Sequence, residues 1–265
     1  MENQLETIKT AKKMVNIILP LIFVITIIAW FEKDRLAKYH QMHAELNQDP
    51  IQEEMSAPQF SFDYRDETYH VQPLARYELW GLVVSHNNIT GILDMYHDEN
   101  SVDTKDLCLI WGNNLTSNDY KKVSYSSGAW TCYYQYPYGV DFYPDALSNN
   151  HLLTADDAVR ERIGQVRIGD QVHIQGMLVK YQAESNPSFW RDSSMVRTDT
   201  GDGACEVVYV ESIDIIQTGA PLWHMTFFFG RWLTIGLILL RVGLMVLGVY
   251  LTPKPFRSSR WGPPE

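Results

Sequence analysis

Two stretches of this chain are almost free of polar side chains, and the positions between them mostly alternate. Residues 14–31 (MVNIILPLIFVITIIAWF) have Asn16 as their one strongly polar side chain. At about 1.5 Å per helical residue, this run comes close to spanning the roughly 30 Å hydrocarbon core of a bilayer. Pro20 lies near its start, where a helix tolerates proline best. A second run covers 227–251, with Trp223 and Trp232 marking one interface and Pro253 and Pro255 stopping the helix at the other. The pattern predicts membrane-spanning helices at 14–31 and 224–251. Lys9, Lys12 and Lys13 would also suit a cleaved signal peptide, but the run ends Ala29-Trp30-Phe31 with no small-x-small cleavage site, so an uncleaved anchor is expected.

Residues 32–47 contain helix formers and no Gly or Pro, and predict a helical stalk. Asp49-Pro50 breaks it, and the tracts QFSFDY and TYHVQPL alternate like short edge strands. Residues 32–76 therefore read as stalk and linker. From Tyr77 onward, β-branched and aromatic residues bounded by Gly, Asn, Asp and Ser predict strands at 77–85, 88–96, 107–111, 129–136, 171–181 and 205–216. One helix is expected at 155–166, opened by Thr154-Ala155-Asp156-Asp157 as a capping box with Asp in place of Glu. The resulting organisation is an N-terminal tail (1–13), a first span (14–31), a stalk (32–76), a β domain (77–218), a second span (224–251) and a C-terminal tail (252–265).

Gly169-Asp170-Gln171-Val172-His173-Ile174-Gln175-Gly176 has the G-D-x-V-x-I-x-G pattern of a tight turn into a strand that bends at its last glycine. With several strands and one helix before it and a final strand after it, residues 77–216 resemble an OB-fold β-barrel; a β-sandwich with one inserted helix is the alternative. The expected class is mainly β: a small OB-like barrel with one inserted helix, flanked by two transmembrane helices.

Composition then separates inside from outside. The net charge is -10, and the 16 Gly, 12 Pro and 3 Cys exclude collagen, low complexity and a disulfide miniprotein. Lys9, Lys12 and Lys13 precede the first span and Lys254, Arg257 and Arg260 follow the second. Lys33, Arg35 and Lys38 beyond the first span reduce this bias but lie among Glu32 and Asp34, so both termini are expected in the cytoplasm, with the central domain in the periplasm of a bacterial inner membrane. Between Tyr39 and Leu222 there are 11 basic and 27 acidic side chains, a balance of -16 that agrees with this orientation. An acidic domain lacks the basic groove that matches phosphate, which argues against nucleic acid as a partner.

The candidate chemistry is sparse. Cys108, Cys132 and Cys205 fall on predicted strands, and Cys108 with Cys132 is the favoured disulfide in an oxidising compartment. The acidic loop of Asp94, His97, Asp98, Glu99, Asp103 and Asp106 lacks an EF-hand frame, so no metal and no cofactor is expected. The tract containing Trp130, Tyr134 and Tyr136, and the Asp199/Asp202 loop, are candidate ligand surfaces. Asn88-Ile89-Thr90 and Asn114-Leu115-Thr116 match the glycosylation sequon. No H-E-x-x-H, G-x-S-x-G or phosphate-binding loop is present. Centring the second span between Arg231 and Lys254 puts Arg241 near the middle of the bilayer, where a charge costs about 2.5–3.5 kcal/mol on insertion scales and normally faces protein. Gly236, Gly243 and Gly248 would let a neighbouring helix approach.

Two functions follow as expectations. One is a membrane-anchored accessory or scaffolding subunit, whose outer domain binds a protein or envelope component and whose helices dock onto another membrane protein or a second copy. The other is an envelope enzyme or a glycan- or peptide-binding receptor that uses the aromatic tract and the Asp199/Asp202 loop.

Overall fold

The computed structural model of this chain describes residues 2–36, 41–89, 101–128, 130–199 and 203–252. In chain order its elements are helix α1 (Glu2–Glu32) and strands β1 (Ile51–Glu54), β2 (Phe60–Tyr64), β3 (Glu67–Asn88) and β4 (Asp103–Ile110). The hairpin β5 (Ser124–Ser127) and β6 (Cys132–Gln135) follows, then β7 (Leu147–Leu153), α2 (Asp157–Gln165), β8 (Gln171–Ala183), β9 (Glu206–Gln217) and α3 (Pro221–Leu251). These form two units: Met1–Lys33 with Pro221–Glu265, and Asp34–Ala220.

In the sheet unit, β3 pairs with β8 along its first two-thirds and with β4 along its end. β4 pairs with β7, β7 runs parallel to β9, and β9 returns antiparallel to β8, so five strands close a ring. Alternation aims Tyr77 and Leu79 of β3, Leu107 and Leu109 of β4, and Val208 and Val210 of β9 into one buried core. Burying each such side chain contributes roughly 1.5–3 kcal/mol. Register shifts at Val83/Ser85 and Gln175/Gly176 bend the strands around that core. At Gly176 a Cβ would overlap the Tyr209 carbonyl of the neighbouring strand, so only glycine fits. Gly169 has φ +89°, and the Asp170 carboxylate beside it accepts from the backbone N–H groups of Arg167 and Gly219, each at 2.8 Å. That clamps the turn into β8.

Helix α2 lies between β7 and β8 and buries Ile163 in the core. Its cap is Asp156, not Thr154: the Asp156 carboxylate accepts from Ala158 N at 2.7 Å and Val159 N at 3.1 Å, while Thr154 Oγ1 accepts from Asp156 N. At the other end, Lys105 Nζ donates to the carbonyls of Val166 at 2.5 Å and Gly164 at 3.4 Å, where a cation complements the helix dipole.

The sheet begins earlier than the sequence pattern indicates. β3 starts at Glu67, and β1 and β2 pair with it, so much of the expected linker belongs to the sheet. Pro73 looks like a break, but it sits at a register shift that tolerates it. The expected helical stalk is replaced: α1 ends at Glu32, and the next described regular element is a 3-10 turn at Ala44–Asn47 that buries Leu46. The strand expected at 88–96 and most of the acidic loop around His97 lie largely outside the described residues. Helix is also as abundant as strand, because α1 and α3 are 31 residues each, so the mainly-β expectation holds only roughly.

In the helical unit, α1 and α3 are both long and apolar enough to cross a membrane. Thr26 meets Gly230, Asn16 meets Arg241, and Lys12 and Ile8 meet Gly248, which makes the pair antiparallel.

Candidate functional site

The segment between β4 and β7 covers the outer face of the ring. It is held by a disulfide between Cys108 on β4 and Cys132 on β6, with Cα atoms 5.8 Å apart. Asn114 staples its return: Nδ2 donates to the carbonyls of Tyr143 (2.8 Å) and Ala146 (3.0 Å), and Oδ1 accepts from Tyr143 N (2.9 Å). A side chain buried and occupied in this way is not a glycan acceptor, whatever the sequon implies.

Beside this cover, three strands bring polar side chains into register. Asp106 is directly opposite His151, and Cys108 is opposite Asn149. His151 Nδ1 lies 2.6 Å from Asp106 Oδ1; a carboxylate can only accept, so Nδ1 carries a proton. Asn149 Nδ2 lies 3.4 Å from His151 Nε2, 3.5 Å from Cys205 Sγ and 3.3 Å from the Trp130 carbonyl. Cys205 Sγ in turn donates to the Trp130 carbonyl at 3.4 Å. Burial raises the Cys205 thiol, so it stays protonated at neutral pH, bonded to Asn149 and the Trp130 carbonyl.

The segment 191–199 forms the opposite wall. Arg191 lies over the Trp130 ring at 4.3 Å, and Ser194 Oγ donates to Asp199 Oδ2 at 2.5 Å. Ser193 Oγ accepts from Val207 N at 3.0 Å, and Ser194 N donates to the Cys205 carbonyl at 2.9 Å, which ties the segment to β9. Arg197 reaches inward to Glu206 Oε1 (3.4 Å) and Gln52 Oε1 (3.2 Å), over the ring of Trp111. Burial pushes the Glu206 carboxyl up to about 8, with Arg197 opposing the shift.

Between these walls is a cavity of about 550 Å³, lined among others by Tyr133, Tyr134, Asp145, Asn149, Asp199 and Cys205. The structure thus brings Tyr134 and Asp199 together, although 65 positions of sequence separate them. Tyr136 stacks on Tyr134 with ring centres 6.4 Å apart, and Trp130 stands apart beneath Arg191. Asp202 lies outside the described residues. Among the described residues, no group of three or more His, Cys, Asp or Glu side chains is placed to hold a metal ion. Arg197 opens the turn-rich stretch that contains Asp199, whereas Asn149 joins the site without a motif to mark it. The only signal for Asn149 is the polar run Ser148-Asn149-Asn150-His151 inside an otherwise apolar segment.

In the helical unit, Arg241 Nε donates to Asn16 Oδ1 at 2.9 Å. The antiparallel register therefore places Arg241 beside Asn16, about one turn from Lys12 and Lys13. Gly248 packs beside Lys12 and Ile8 of the same chain. Gly236 and Gly243, seven residues apart, have open space where a Cβ would stand.

No protein-family model, curated protein or solved structure matches this chain.

Proposed function

We propose that the chain is a membrane-anchored binding subunit rather than an enzyme. Its sheet unit is an OB-type barrel outside the membrane, and it takes an extended, basic segment of a protein partner in the cavity between Tyr134 and Asp199. The observation that carries this reading is the cavity itself, where an aromatic wall and two carboxylates, Asp145 and Asp199, face one space. Tyr133, Tyr136, Tyr138 and Tyr143 are exposed in the same tract, as suits contacts with a flat cation or a peptide backbone. The balance of 11 basic and 27 acidic side chains between Tyr39 and Leu222 draws basic partners to this unit. The protonated Cys205 thiol, bonded to Asn149 and a carbonyl, favours binding over nucleophilic chemistry.

The OB-type reading is supported by five strands closing a ring, with one parallel pair and one helix inserted between the third and fourth ring strands. The basic side chains outside both spans support cytoplasmic termini and a periplasmic sheet unit at a bacterial inner membrane. The open face at Gly236 and Gly243 supports docking against a helix of a larger membrane complex.

The test is purification of the full-length protein in mild detergent beside Tyr134→Ala and Asp199→Lys. A protein that copurifies with the native chain should be lost from both variants and retained by Arg162→Ala on α2. Retention by all three variants contradicts the reading.

A further inference from the structure

The helical unit carries a groove of about 420 Å³ between α1 and α3, lined by Asn16, Leu19, Pro20 and Phe23 on one side and by Thr234, Ile238 and Arg241 on the other. At 1.5 Å per residue, the stripes 16–23 and 234–241 run side by side for about 10 Å. The charge is all at one end. Arg241 spends Nε on Asn16 Oδ1, and its two Nη atoms have no hydrogen-bond partner among the described residues. Lys12 and Lys13 lie one turn beyond Asn16, and Lys12 Nζ sits 2.6 Å from where a Cβ on Gly248 would be. From that end inward, the walls are Leu19, Pro20, Ile238 and Phe23.

We infer that this groove binds an anionic phospholipid of the leaflet nearest the chain termini. The Arg241 fork takes the phosphate, and an acyl chain lies along Leu19, Ile238 and Phe23. The inference rests on the membrane-spanning reading of α1 and α3. A guanidinium presents two parallel N–H groups to a phosphate, and this matches the two Nη atoms that have no hydrogen-bond partner among the described residues. The order of polar end and apolar wall follows the order of headgroup and tail. Lys12 and Lys13 at the same level favour an anionic over a zwitterionic lipid. A carboxylate-bearing helix fits less well: bulky side chains wall this groove, whereas Gly236 and Gly243, which would admit a helix, lie on another face.

The experiment is native mass spectrometry of the full-length protein in mild detergent, titrated with dioleoylphosphatidylglycerol or dioleoylphosphatidylcholine. The native chain should prefer the glycerol lipid by about fivefold or more. Arg241→Gln should reduce the preference to under about twofold. Arg241→Lys, which keeps the charge but loses the fork, should fall between, and Arg231→Gln should match the native chain. Millimolar inorganic phosphate should not displace the lipid. Equal binding of both lipids by the native chain, or an undiminished preference in Arg241→Gln, overturns the site. So does a dimer that depends on Arg241 and excludes lipid. Recovery of the native chain in the aqueous phase without detergent would instead overturn the membrane reading itself, whereas extraction only by detergent, without Arg241-dependent lipid preference, removes the lipid site alone.

Discussion

His151 on β7 donates from Nδ1 to the carboxylate of Asp106 on β4 at 2.6 Å, and both side chains are sealed from solvent. The pair joins neighbouring strands, and it fixes the imidazole so that Nε2 faces the amide of Asn149, which lines the candidate cavity. A polar row thus runs across the sheet from Asp106 on β4 through His151 and Asn149 on β7 to Cys205, just before β9, and its last two members line the cavity.

Removing the imidazole takes its 2.6 Å hydrogen bond away from a buried carboxylate, and breaking a buried pair in this way typically costs about 3–5 kcal/mol. His151→Ala should lower the melting temperature of the full-length protein by roughly 6–20 °C, at about 2–4 °C per kcal/mol for a unit of this size. Tryptophan fluorescence during heating measures it. A shift of less than about 2 °C would mean that the pair is energetically neutral.

Glu206 gives the fold a signed pH dependence. Its carboxyl is raised from 4.5 to about 8 in the folded chain by burial. Between those values the folded state binds the extra proton, so this contribution is full below pH 4.5 and is lost as the pH rises toward 8. Melting temperatures of Glu206→Gln should fall less between about pH 5 and 8 than those of the native chain; parallel curves would refute the assignment.

Lys105 acts in the opposite sense and in a separate window. Burial lowers its ammonium from 10.5 to about 8, so between about pH 8 and 10.5 the unfolded chain binds the extra proton and this contribution rises with pH. Lys105→Met should abolish that rise, and should also release the C-terminal carbonyls of α2. An unchanged alkaline limb in the variant counts against it.

Two glycines make a paired comparison. Gly176→Ala drives a methyl into the Tyr209 carbonyl and should destabilise by about 1–3 kcal/mol. Gly164 lies in α2, and nothing stands within 4 Å of where its Cβ would be, so Gly164→Ala should stabilise by about 0.4–1 kcal/mol. Urea unfolding of both variants separates them by sign.

What can be read from the sequence tracks the physics of each segment. The two long apolar helices are legible from their uninterrupted apolar runs, and β8 and β9 because β-branched residues alternate between turn residues. β7 is not legible: Leu147–Leu153 reads LSNNHLL, which looks like a loop. Its Asn149, Asn150 and His151 are buried because other strands supply their hydrogen-bond partners, a fact that no local window contains. The closing parallel pair β7–β9 is hidden with it. At the site, the aromatic tract and the Asp199 segment are legible singly, from composition and turn chemistry. Their meeting is not, since it depends on the cover over β4 and on Ser193 and Ser194 tying their segment to β9. That Arg241 sits beside Asn16 is likewise not legible, since it depends on the pairing of α3 with α1.

The most direct test of the binding role is photo-crosslinking in native membranes, with p-benzoylphenylalanine at Tyr134 in the full-length chain. A discrete light-dependent adduct to one protein is expected, absent when the probe replaces Tyr64 on β2 and lost when Asp199→Lys is added. Identical adduct patterns from Tyr134 and Tyr64, or an adduct indifferent to Asp199→Lys, would contradict a partner seated in the cavity.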